Sequence, residues 1–303
     1  MKINEIIPRF YSALLSNATR GKIETIILKI AIFSFFIHLL LIYLIKFNLV
    51  TVSTSSELLK NPISAIYTPF SFILIYEVYL LIYYLPKSFT NYITKQYEII
   101  TLIIIRKLFK DLSALELSTN WFEIKEDLQF TYDLVASLLL FYLIFLFQQQ
   151  GRQKAIKNAN DNTVIQKFIQ KKKTIAIILV PLFFVMAAFT LLQWCEGIYT
   201  SPTNLPGLDS INNLFFDQFF TVLILVDVVL LLISFFYTDE FHKIIRNSGF
   251  IISTILLRMS FGVSGLISTI LIIVAVLFGL AVLVIHNKYE KALHPTINST
   301  TSK

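Results

Sequence analysis

Glu77 and Arg106, and again Asp227 and Arg258, are charged residues set within apolar runs, each acid followed about thirty residues later by an arginine in the next, shorter run. A charge at the centre of a bilayer costs roughly 2.5 to 3.5 kcal/mol on the translocon scale, so four of them at matching places need a physical reason. Two kinds of chemistry are open to them. A carboxylate and a guanidinium in contact neutralise each other and fix helix register, and the planar fork of arginine suits a bidentate bond in a medium of low dielectric. Held around a polar path, the same groups would form a site for a small ion or anion.

A second group of candidates lies just beyond the second acid, in TDEFHKIIR (238–246). His242 and Arg246 are four residues apart and share one helix face, where they would meet a phosphate or a lipid headgroup at the membrane interface, or simply snorkel towards water. The corresponding stretch of the first half, SFTNYITK (88–95), has Thr90 and Thr94 in those places. His38 and His286 stand on separate apolar runs with no ligand partner nearby in the sequence, which reads as core or interface histidine rather than as metal ligand. Cys195 is the single cysteine and excludes an intrachain disulfide and a thiolate cluster. No phosphate loop, nucleophile elbow, zincin helix or potassium-channel filter is present, and no nucleophile is paired with a base. Neither an enzyme nor a cofactor or metal is expected.

These residues must be positioned by membrane helices. The 303-residue chain is 56% hydrophobic and 15% charged, with 28 Phe against 8 Gly, and its mean hydropathy is +0.71. A soluble domain carries about a quarter charged residues, so the composition is that of a polytopic membrane protein. The net charge of +7 comes from basic residues in loops beside the apolar runs, a distribution set by topology rather than by nucleic acid. Six runs are long enough to span: 23–47, 68–85, 130–147, 174–194, 216–237 and 266–286. Two shorter ones, 97–109 and 249–261, carry the arginines and would be either re-entrant or extended across by flanking polar residues. With both spanning, eight helices place the basic residues of the N-terminus, of 152–173 and of the C-terminus on one side. The positive-inside rule then puts both termini in the cytoplasm. The first run is too long for a signal peptide and is expected to stay as a helix. The glycosylation patterns at Asn17 and Asn298 fall on that cytoplasmic side and carry no weight, and Pro181 predicts a kink.

The chain also reads as a tandem repeat. EIITLIIIRKLF (98–109) lies over FIISTILLRMSF (250–261), and FSFILIYEVYLL (70–81) over FTVLILVDVVLL (220–231), which sets Arg106 on Arg258 and Glu77 on Asp227. The expected organisation is a four-helix unit over 1–150, a basic linker over 151–170 and a second four-helix unit over 171–303. Because four is even, the repeats are parallel. By helical rise each acid and its arginine lie roughly 13 to 16 Å deep, so neighbouring antiparallel helices would bring them together.

The order in the second half is an acid in an apolar helix (Asp227), then Phe241 and His242, an arginine four on (Arg246), and an arginine closing an aliphatic run (Arg258). It resembles the phosphate-starvation-inducible PsiE family. The first half looks like a divergent copy that keeps Glu77, Arg106 and Asp111. The resemblance implies small four-helix inner-membrane units and a link to phosphate regulation, without a molecular activity. The sequence thus leads to an all-α protein of the bacterial inner membrane with eight transmembrane helices. Its acids and arginines either serve a transport or channel-like path for a small ion or anion, or hold together a non-transporting sensor, scaffold or anchor. The expected partners are the bilayer, with anionic lipid at 152–173; nucleic acid is not expected, and homo-oligomerisation is left open.

Overall fold

A computed structural model of the chain describes residues 3–49, 62–112, 125–152, 163–200, 208–237, 239–263 and 265–293. Residues 153–162 of the expected linker and the pattern at Asn298 lie outside them. Among the described residues the chain is all α-helical, with no strand. Nine α-helices follow in order: α1 (Ile3–Leu14), α2 (Asn17–Lys46), α3 (Tyr67–Tyr84), α4 (Phe89–Leu112), α5 (Lys125–Arg152), α6 (Thr163–Thr200), α7 (Leu208–Phe235), α8 (Phe241–Ser260) and α9 (Leu266–Leu293). A short 3-10 turn, Pro62–Ile66, precedes α3.

Local chemistry explains several boundaries. Ser16 is extended, and its hydroxyl accepts from the Thr19 amide at 3.1 Å, capping the start of α2. At the other end Asn48 adopts φ 56°. Its amide reaches the Ile45 carbonyl and that of Leu49 the Leu44 carbonyl, each at 2.9 Å, which is the paired bonding of a Schellman ending with asparagine in the glycine place. Gly265, at φ 78°, supplies the left-handed turn that enters α9.

Every expected apolar run is helical, but the boundaries differ in three places. The N-terminal α1 was not expected; its polar residues dilute the apolar signal there, and it packs on α6. The two short arginine-bearing runs belong to helices of 24 and 20 residues, α4 and α8, because the polar flanks continue the helix on both sides of the first run and ahead of the second. α6 begins at Thr163, so the last part of the expected linker is the first two turns of a 38-residue helix.

Among the described residues five segments are long and apolar enough to cross a membrane: Ile7–Lys46, Asp127–Gly151, Gln166–Thr190, Gln218–Phe235 and Leu266–Leu293; the apolar stretch of α3, Thr68–Tyr84, is shorter. This fits an integral membrane protein. Large apolar side chains stand fully out on the faces of these helices, among them Phe33, Phe141 and Phe184; such a surface is covered by lipid rather than by water.

Consecutive helices pack on each other in two runs, α2 on α3, α3 on α4 and α4 on α5, then α6 on α7, α7 on α8 and α8 on α9. The runs are joined where α5 packs on α9, α4 on α8 and α3 on α6. One buried apolar cluster extends across both. At the seam Phe147 of α5 meets Tyr97 of α4 edge-on at 5.1 Å and Phe250 of α8 at 5.5 Å. Tyr97 threads between α8 and α9: its hydroxyl lies 2.6 Å from Ser253 Oγ, which donates to the Ala275 carbonyl at 2.6 Å. Space for it exists only because residue 279 is glycine, since a Cβ there would stand 1.9 Å from the Tyr97 hydroxyl.

Candidate functional site

The four charges singled out in the sequence form two closed pairs. Arg106 of α4 donates through Nη2 to Glu77 Oε2 of α3 at 2.9 Å, with both side chains buried. Arg258 of α8 donates through Nη2 to Asp227 Oδ2 of α7 at 3.1 Å, in surroundings that leave the side chains 3% and 1% exposed. Antiparallel neighbours at similar depth bring each acid to its arginine, as the helical rise requires.

The surroundings of the pairs differ. Asp227 also accepts from the Tyr92 hydroxyl at 2.8 Å on Oδ1 and from Gln96 Nε2 at 3.3 Å on Oδ2. Gln96 returns its own oxygen to Arg258 Nη2 at 2.9 Å. Tyr92 and Gln96 both belong to α4, so a helix of the first half completes the pair of the second. The guanidinium carbon of Arg258 lies 5.6 Å from the centre of the Phe220 ring, a further cation–π contact. Its Nε and Nη1 make no hydrogen bond, so the bidentate geometry expected of this pair is not adopted: one nitrogen is shared between the carboxylate and Gln96.

A third buried acid went unnoticed in the sequence. Asp133 of α5 accepts from Lys107 Nζ of α4 at 2.7 Å, from Gln129 Nε2 at 2.8 Å and from Thr269 Oγ1 of α9 at 3.0 Å. It ties α5 to α9 as Tyr92 ties α4 to α7. Its position inside the apolar run 130–147 was the available signal, but it has no arginine at the repeat spacing and so fell outside the pattern.

Among the basic residues expected at the lipid surface, Lys172 is turned inward. It is 2% exposed, donates to the Lys87 carbonyl at 2.7 Å, and its ammonium lies 4.5 Å from the Phe89 ring centre and 5.4 Å from that of Phe168. One lysine of the cluster 171–173 therefore serves the packing of α6 on the end of α3.

His242 and Arg246, at the start of α8, do come together with residues of α9. Arg246 Nη1 lies 3.0 Å from His286 Nε2, while its Nε and Nη2 hold Asn247 Oδ1 at 3.2 and 3.0 Å. The rings of His242 and His286 stack at 5.1 Å. Two carboxylates face this group: Glu290 Oε1 is 3.3 Å from His286 Nε2 and 3.9 Å from His242 Nε2, and Glu240 Oε2 is 3.3 Å from His242 Nε2. His286 thus has ligand-type partners after all. They come from another helix and from Glu290, one turn further on α9; the His-x-x-x-Glu spacing was the signal for the latter. His38 is held by the Thr68 hydroxyl, as expected of an interface histidine.

Chemically, the buried pairs can neutralise charge and lock helices, and the edge cluster gathers imidazole and carboxylate lone pairs around one guanidinium. No family model, curated protein or solved structure matches the chain.

Proposed function

We propose that the chain is an eight-helix inner-membrane protein made of two PsiE-like four-helix units, and that it serves as a non-transporting sensor, scaffold or anchor whose buried acid–arginine pairs are structural. The observation that carries this reading is the enclosure of Asp227. Both its oxygens are engaged by Tyr92, Gln96 and Arg258, and all four side chains are buried. Three of its roughly four lone pairs are taken and the group is buried, so this carboxylate offers little to a passing ion, and a satisfied buried pair needs no further role.

The repeat is supported by the neighbour order, since α2 to α5 and α6 to α9 pack in the same sequence of contacts. Of the three joining contacts, α4 on α8 and α5 on α9 pair helices in equivalent places, as an axis along the membrane normal allows, while α3 on α6 does not. The lengths of α4 and α8, about 36 and 30 Å at 1.5 Å per residue, support their crossing the bilayer. Charge asymmetry places both termini in the cytoplasm.

Reconstituted in liposomes, the wild type should pass phosphate, protons and common ions no faster than empty vesicles, while Arg258→Gln should lower thermal stability in detergent. A flux that the wild type supports and a fully stable Arg258→Gln abolishes would restore the transport reading.

A further inference from the structure

We infer that His242, His286 and Glu290 form a binding site for a divalent transition-metal ion of the zinc class, set where the start of α8 meets the last turns of α9. The inference does not depend on whether the protein transports anything.

The ligand atoms already converge. His242 Nε2, His286 Nε2 and Glu290 Oε1 all lie within 4.8 Å of one another. With metal–ligand bonds of about 2.1 Å, the edges of a tetrahedral site are about 3.4 Å. The contact of His286 with Glu290, 3.3 Å, matches that edge, and the 3.9 Å from His242 to Glu290 exceeds it by a small side-chain adjustment. Glu290 and His286 sit four apart on one face of α9, which lets a single helix offer two ligands.

The protonation pattern points the same way. A guanidinium only donates hydrogen bonds, so His286 Nε2 must accept from Arg246 and the ring is neutral, with its proton on Nδ1. Its contact with Glu290 is then between two lone pairs, which repel unless a positive charge stands beside them; Arg246 supplies that charge here, and a metal ion would supply it in its place. His242 Nε2 is buried and makes no hydrogen bond, although two carboxylate oxygens stand near it. Two imidazoles and a carboxylate suit a borderline ion such as Zn²⁺ rather than Mg²⁺ or Ca²⁺, which prefer oxygen alone. An anion, by contrast, would have to enter against both Glu240 and Glu290. Glu290 keeps 24% of its side chain exposed and gives the ion a way in.

Arg246 occupies the lone pair that the metal needs. It is the resident cation, and the ion replaces it, so removing its charge favours binding.

The test uses the tag-free, full-length chain in detergent, stripped with a chelator and titrated with zinc chloride against a chromogenic indicator. The wild type should take up one Zn²⁺ per chain, unaffected by excess Mg²⁺. His242→Gln and Glu290→Gln should each weaken binding by about tenfold or more, and Arg246→Gln should tighten it. Absence of zinc uptake above buffer, or undiminished affinity in His242→Gln and Glu290→Gln, would overturn the site and place any bound ion on another histidine. Should either of those variants melt early in chelator, Arg246→Gln decides: tighter binding supports the site, and unchanged or weaker binding overturns it.

Discussion

Glu77 with Arg106 and Asp227 with Arg258 carry the same charges on successive helices, yet the first pair is bonded between α3 and α4 of one half, whereas the second is bonded between α7 and α8 and then held by Tyr92 and Gln96 of α4. The shorter aspartate leaves room for a third helix to bring its own polar groups to the carboxylate. A buried charge that must be satisfied thereby becomes a connection between the two halves, because the donors it needs come from across the seam. Interhelical polar bonds of this kind are each modest in a membrane; their effect on assembly comes from leaving a charge stranded when any one is removed.

Asp227→Ala should therefore be the most damaging single change. It leaves Arg258 buried without its acid, a loss of about 3 to 5 kcal/mol, and it also releases Tyr92 and Gln96. Glu77→Ala takes the buried acid from Arg106 but acts within one half, so its cost should fall at the lower end of that range. The comparison is read from melting midpoints in detergent. Equal losses for the two variants would mean that the bracing by α4 contributes nothing.

Next in size is a change that opens the seam without touching a charge. Gly279→Ala puts a methyl group 1.9 Å from the Tyr97 hydroxyl and 3.0 Å from Ser253 Oγ, and such overpacking costs about 1 to 3 kcal/mol. Gly249→Ala meets only the Val282 side chain, at 2.8 Å, inside the second half, and should cost less. Adding Tyr97→Phe to Gly279→Ala removes the clashing oxygen and should return part of the loss. Were the double variant no more stable than Gly279→Ala alone, the crowding would not be at Tyr97.

The helices, the two pairings and their antiparallel neighbours were legible in the sequence because each rests on a local rule: apolar length, acid-to-arginine spacing and helical rise. The bracing of Asp227 was not. Tyr92 sits in SFTNYITK and Gln96 just after it, in a stretch that reads as polar flank, and nothing in linear spacing connects them to a residue 131 or more positions away. Asp133 was overlooked for a related reason, since its partner Thr269 is neutral and its cation, Lys107, lies at the end of another helix. His286 reads in the sequence as a core or interface histidine, and it is buried, but its stacking on His242 depends on how α8 crosses α9. Contacts set by the crossing of distant helices leave no periodic trace.

Single hydrogen bonds test the bracing more finely. Tyr92→Phe removes the bond to Asp227 Oδ1 with little change in volume and should cost about 0.6 kcal/mol, the average for interhelical bonds in a membrane protein, and no more than about 1.7 kcal/mol. In a double-mutant cycle it should couple to Asp227→Asn and add independently to Glu77→Gln. Coupling to both acids alike would show that the two pairs respond as one network.

The smallest effect is expected where a pair of the same charges lies near the surface. Lys95 and Glu98 are in contact along α4, with 25% and 29% of their side chains exposed, and Gln148 of α5 also donates to Glu98, at 2.7 Å. Lys95→Gln removes the ammonium that lies 5.2 Å from the Tyr84 ring centre and leaves Glu98 with water and Gln148 as partners. Its cost should stay below about 0.5 kcal/mol, as for most exposed ion pairs. The contrast with Asp227 is one of solvent access: a carboxylate that water can reach loses little when its cation leaves, whereas one sealed among α4, α7 and α8 has nothing to replace it. A loss at Lys95 as large as at Glu77 would show that the charge itself, rather than its burial, sets the scale, and the distinction between the two intramembrane pairs would then have to be sought elsewhere.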